Sequence, residues 1–168
     1  MESMVTSGSV TPIQAAEGAV RRYCGWHIAP VVTETLVLDG TGTRSLLLPT
    51  MRIRSIDSLV IGAEQIDVSR VQYSRTAGVV QIEGHLWTRG LGNVEISLTH
   101  GYEQAPDEVR AIIDAVAKRV KQYAGAVMSQ RAGTQAVNYA VVGGAGRGVP
   151  LTPDEKEALA AYRLEWGL

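Results

Sequence analysis

Phenylalanine is missing altogether from this 168-residue chain, and cysteine occurs once. With only three tryptophans and six tyrosines spread along the sequence, the core has to be built mainly from valine, isoleucine, leucine and alanine. One cysteine excludes an internal disulfide and suits a reducing compartment. No charge of one sign dominates either. Sixteen basic and seventeen acidic residues leave a formal charge of -1, so bulk charge points to neither nucleic acid nor an anionic membrane. No apolar run approaches the ~18 residues of a membrane span, and "MESMVTSGSV" lacks the basic-then-apolar order of an export signal. The sequence therefore predicts a soluble, unexported chain without a membrane partner, one domain with appendages.

What is present falls into a clear order. Thr11, Pro12 and Gln14 form a capping box with proline at the first helical position, and predict a helix over 12–24. Ile13, Ala16, Val20 and Tyr23 step at helical spacing as its buried stripe, and Gly25 stands where the helix should stop. From 31 to 102 the pattern changes to six or seven short strands, antiparallel by their short connections: "TETLVL" and "SLLLPT" around "DGTGTR", "MRIRSI" and "SLVI" before the turn "GAEQ", "RVQYS" and "VVQIEG" around "RTAG", then "NVEISLTHGY". Val94, Ile96 and Leu98 alternate there with Glu95, Ser97 and Thr99, as in a strand buried on one face. A second helix over 106–124 opens on Pro106, Asp107 and Glu108, and carries Val109, Ile112, Ile113, Val116, Val120 and Tyr123 on its apolar side. Six of the eighteen glycines then crowd residues 125–148, which predicts a flexible arm over 125–150. A second capping box, Thr152 with Glu155 around Pro153, starts a C-terminal helix over 151–168, with Leu159, Tyr162 and Trp166 on one side. The expected fold is α+β: a small helical domain over 1–124 interrupted by an antiparallel β-rich insertion, then the arm and a C-terminal docking helix.

Residues capable of chemistry are few. Cys24 and His27, three apart with Trp26 between them, could form half of a zinc site that His85 and His100 would complete, yet no second Cys-x-x-Cys or His-x-x-x-His pair accompanies them. A cysteine nucleophile needs a positioned base and a group to orient it, and a cysteine on an apolar helical stripe is a small buried hydrophobe. "YAVVGGAGRGVP" imitates a nucleotide loop. It has Val149 and Pro150 where a phosphate loop needs lysine and a hydroxyl residue after Gly148, and no helix follows directly. "HGY", His100 to Tyr102, has no acidic or hydroxyl partner at a recognisable spacing and reads as a strand-to-helix turn using the freedom of Gly101. The basic residues of "RR" and "RVKQ" lie among acidic ones with no aromatic ladder, which reads as solvated helix faces. No catalytic, metal or cofactor site is expected. The rival reading is a small enzyme using Cys24 and a histidine, which would require a closed pocket and a perturbed thiol.

The order of "AVRRYCGWHIAP", "LVLDGTGTRSLLLPT", "WTRGLGNVEISLTHGYEQAPDEVRAIIDAVAKRV" and "LTPDEKEALAAYRL" resembles the head-to-tail adaptor, or head-tail connector, family of long-tailed bacteriophages, particularly those of actinobacteria. The resemblance covers about Thr11 to Tyr123 and resumes at Leu151. It implies a non-enzymatic virion protein, made in the host cytoplasm and built into the neck as a dodecameric ring under the portal protein. A stopper or other tail-side neck protein would lie below, and DNA would pass through the channel without sequence-specific binding. Within the same class the alternatives are a stopper or a tail terminator. The resemblance makes Tyr23, Trp26 and Ile28 structural anchors of the turn leaving the first helix, and Leu159, Tyr162 and Trp166 anchors that dock on the portal.

Overall fold

The computed structural model describes residues 10–125, 131–132, 135–136 and 150–164. They form two compact units. The helical unit comprises the chain up to Cys24 together with Asp107–Ala161, and the β unit comprises Gly25–Pro106 together with the segment from Tyr162 onward. In sequence the β unit is an insertion between two helices, which makes the fold α+β as expected.

The helical unit contains α1 (Pro12–Cys24), α2 (Asp107–Gly125) and α3 (Pro153–Leu159). The Thr11 box forms as read: Thr11 Oγ1 accepts the Gln14 N–H at 3.2 Å and Gln14 Oε1 accepts the Thr11 N–H at 2.9 Å. α1 packs along α2, and α3 packs against both. The buried residues are Ala16, Ala19, Val20 and Cys24 on α1, Val109, Ile112, Val116 and Ala117 on α2, and Leu159 on α3. The stripe on α1 is rotated from its expected position. Ile13 lies in the first turn and is 54% exposed, while the small Ala19 faces inward. Tyr123 belongs to α2, but its side chain lies outside the described residues.

The β unit holds seven strands: β1 (Val32–Gly40), β2 (Ser45–Leu47), β3 (Ile53–Ile61), β4 (Glu64–Ile66), β5 (Val71–Tyr73), β6 (Val79–Ile82) and β7 (Gly90–His100). All pairs are antiparallel, in a four-stranded sheet of order β1-β7-β3-β4 and a three-stranded sheet of order β2-β6-β5. "MRIRSI" and "SLVI" join into the single strand β3, whose register against β7 shifts twice, and part of the "GAEQ" turn becomes β4. "RVQYS" and "VVQIEG" do form a hairpin around "RTAG". "TETLVL" and "SLLLPT" do not: β1 pairs with β7, and β2 with β6. One core draws on both sheets, with Leu48, Leu59, Val80, Trp87, Ile96 and Leu98 fully enclosed. Burial on this scale is worth about 1.5–3 kcal/mol for each large aliphatic side chain. Trp87 is a core residue whose indole N–H donates to the Val80 carbonyl at 3.3 Å. The alternation read in β7 holds: Val94, Ile96 and Leu98 are buried and Glu95 is exposed.

Most of the expected arm, 125–150, lies outside the described residues; within it, Arg131–Ala132 pairs with Gln135–Ala136 in a minimal antiparallel ladder. The C-terminal helix is shorter than expected. α3 ends at Leu159 and tightens into a 3-10 turn over Ala160–Tyr162, and the chain beyond is not helical as far as Leu164. Among the described residues no helix is long and apolar enough to cross a membrane.

Candidate assembly surface and its supports

In the helical unit, α3 is fastened by polar contacts. Thr152 and Glu155 complete the second capping box, with Thr152 Oγ1 accepting the Glu155 N–H at 3.3 Å and Glu155 Oε2 accepting the Thr152 N–H at 2.8 Å. The same carboxylate receives both terminal nitrogens of Arg119, each at 2.9 Å. This bidentate pair is largely shielded, with the Glu155 side chain 12% exposed and that of Arg119 25%. The Arg119 hydrogen bond holds the Glu155 carboxyl below its ordinary value; partial burial opposes this, and the Thr152 N–H adds to it. On α1, the Tyr23 hydroxyl donates to the Lys156 carbonyl at 2.9 Å. Leu159 is completely buried. Its side chain is therefore taken up by packing within this chain, which corrects the expectation that it is presented to a partner.

In the β unit, Trp26 and Ile28 are both buried. The Trp26 ring lies 6.2 Å from that of Tyr102, its indole N–H donates to the Tyr162 carbonyl at 2.7 Å, and the Ile28 carbonyl accepts the Tyr102 N–H at 2.8 Å. Tyr162 is half-buried, and Trp166 lies outside the described residues. The structure thus brings together one expected turn anchor, Trp26, and one expected docking residue, Tyr162.

His100 has partners that sequence spacing concealed. It is 1% exposed, its Nε2 donates to Glu34 Oε1 at 2.8 Å, and its Nδ1 lies 3.0 Å from Thr50 Oγ1. A carboxylate only accepts, so Nε2 carries a hydrogen. The Thr50 hydroxyl, itself fully buried, meets the other nitrogen and also accepts the Arg52 N–H at 3.3 Å. Glu34 and Thr50 stand 66 and 50 residues away in sequence, on β1 and on the approach to β3. The network fastens the end of β7 where the chain turns. Gly101 has φ +99°, and a Cβ there would lie 2.8 Å from the Pro30 carbonyl oxygen, so the turn requires glycine.

Among the described residues the other groups capable of chemistry lie apart. The His27 ring lies 6.0 Å from that of His100, and its Nε2 contacts the Pro30 carbonyl. Cys24 is buried on α1. Among the described residues no three histidine, cysteine or acidic side chains are grouped to hold a metal. A cleft of about 340 Å³ in the β unit is lined by Arg44, Gln72, Gln81, Glu83, His85 and Leu86, among others, and does not contain Cys24. The surface does expose large apolar side chains: Leu91 at 89%, Val37 at 63% and Leu86 at 54% in the β unit, and Val10 and Ile13 at the start of the helical unit. Leu91 sits on a pinned tip rather than a frayed one. Asp39 Oδ1 accepts the Gly92 N–H at 2.6 Å, and the Asn93 amide joins the Gly40 N–H to the Thr88 carbonyl, each at 2.8 Å.

The site the described residues build is thus a β insertion between helices with apolar side chains held out on a pinned tip. The chain belongs to the head completion protein family, whose model matches residues 10–111. Its fold is similar to a chain in the neck of a native GTA particle computed with C12 symmetry, with TM-score 0.60, 13% identity, and coverage of 94% of this chain and 82% of that one. It is also similar to a chain in the neck of an empty GTA particle computed with C6 symmetry, with TM-score 0.53, 14% identity, and coverage of 94% and 78%. Among curated proteins none matches the sequence.

Proposed function

We propose that this chain is the head-to-tail adaptor of a virion neck, a structural subunit that forms a twelve-membered ring under the portal and encloses part of the DNA channel. The observation that carries this reading is the family match, which runs from α1 through all seven strands β1–β7 into α2. The twelvefold count draws support from the C12 symmetry of the native neck that shares the fold. Ring closure needs unlike patches meeting head to tail, and separate exposed apolar sites at Leu91, Leu86 and Ile13 supply candidates. A conduit must also let DNA slide, and each phosphate contact adds salt-dependent grip. The chain's charge of -1 suits that need.

The portal is the proposed head-side partner and a stopper-like neck protein the tail-side one, with assembly in the host cytoplasm before incorporation into the virion. With Leu159 committed to packing, portal docking falls to Tyr162 and Trp166. Truncation after Arg163 removes Trp166 while keeping the Trp26–Tyr162 hydrogen bond. The shortened protein should keep its folded circular dichroism and fail to join DNA-filled heads to tails in an assembly assay. Normal joining would remove the docking role from Trp166. A ring located one layer further from the portal would make the chain a stopper instead.

A further inference from the structure

β1 is a sheet edge that the protein leaves undefended. It has β7 on one side and, among the described residues, no strand on the other. Val32–Leu38 stays in unbroken register with Val94–His100, seven consecutive pairs, so its outward N–H and C=O groups form an uninterrupted half-ladder. Proteins usually blunt such an edge with lysine, proline, a bulge or brevity. β1 contains neither lysine nor proline, and its register shifts only beyond Leu38, whereas the opposite edge, β4, has just three residues. The two acidic side chains of β1 are drawn back onto their own sheet, Glu34 to His100 and Asp39 to the Gly92 N–H. Val37 stays exposed, and so does Leu91 on the neighbouring tip of β7. An open ladder beside exposed apolar side chains is the arrangement that accepts an extended peptide as an added strand.

We propose that β1 receives Ala136–Val142 of a neighbouring copy of this chain; the inference deepens the ring reading and rests on it. "AVNYAVV" is seven residues long, matching the seven-pair edge. It is free of charge and proline, and Val137, Tyr139 and Val141 alternate with Asn138 and Ala140 to give one apolar strand face. The backbone entering it, Gln135–Ala136, is already a strand. Arg131–Ala132 pairs with Gln135–Ala136, so the chain doubles back there, and the five residues 126–130 before that ladder can span up to about 17 Å away from α2. Edge and segment are unlike patches, so the contact is heterologous and can close a ring.

Disulfide trapping tests this on the full chain in a Cys24→Ala background. One pool carries Val37→Cys; a second, size-tagged pool carries a single cysteine at one of positions 137 to 141. The pools are mixed, assembled on portal-bearing heads, checked for rings by electron microscopy and oxidised mildly. The expected result is a disulfide between the pools at one or two positions of the same parity, since facing strand residues come within disulfide reach. Tyr139→Pro should abolish ring formation without changing the circular dichroism of the free protein. Rings that form with no inter-pool disulfide at any position overturn the strand addition and leave the ring standing. A Val37→Cys/Tyr139→Cys double variant that closes its disulfide within a dilute monomer also overturns it. If the unaltered chain yields no ring on portal-bearing heads, the ring reading fails and the strand addition with it.

Discussion

The two units are held by different means. The β unit closes around a continuous aliphatic core with Trp87 inside it, and most of its polar ties are backbone ladders. The helical unit buries fewer large side chains and relies on directed polar contacts to seat its last helix: a bidentate ion pair, a capping box and a tyrosine hydroxyl. Hydrophobic burial is indifferent to direction and to pH, whereas charge-assisted hydrogen bonds are sensitive to both. The β unit should therefore be the rigid framework of the subunit, and the seat of α3 the part that conditions can loosen.

The largest expected effect lies in the framework. Trp87→Ala should cost about 3–5 kcal/mol by leaving a cavity in the shared core, read as a lowered urea midpoint. If the strand and helix signals of circular dichroism fall at one midpoint, the two units unfold together and are not held independently; separate midpoints show that each stands on its own contacts. Next comes the ion pair. Arg119→Met leaves the shielded Glu155 carboxylate without its partner and should cost about 2 kcal/mol. The same pair predicts a pH dependence. Because the folded Glu155 value is depressed, its contribution is present above the ordinary glutamate value of 4.5 and is lost as pH falls through the lower folded value. Glu155→Gln should flatten that acid limb, and an unchanged limb would show that other carboxylates set it. A smaller effect, about 1 kcal/mol, is expected for Thr152→Ala, which removes the cap of α3. The smallest is Leu91→Ser, within about 0.5 kcal/mol of wild type in stability because the side chain is exposed. It should nonetheless reduce subunit association in sedimentation or assembly assays, since Leu91 is held out on a pinned tip.

The helices were legible in the sequence because their signals are local. Thr11 with Gln14 and Thr152 with Glu155 sit three residues apart, so the boxes that start α1 and α3 can be read without knowing anything distant. The exposed Ile13 and the buried Leu159 were misread because an apolar stripe shows that a face is buried and leaves open what covers it. In the β unit, strand existence and the β5–β6 hairpin were local too. The pairing of β1 with β7 was not, because it is set by which inward faces fill one core, across the 49 residues 41–89 of intervening chain. The His100 network was hidden for the same reason: Glu34 and Thr50 become its partners only once that pairing exists. The order of motifs over about Thr11 to Tyr123 and again from Leu151 carried the functional reading, since no single motif in the sequence was chemical.

This subunit is proposed to close a ring between head and tail. Reconstruction of an assembled neck containing this chain, with no symmetry imposed, tests it most directly. The expected map holds twelve copies in one closed ring contiguous with the portal, with the DNA channel through its centre. A different copy number, an open arc, or density for this chain away from the portal-to-tail axis would contradict it.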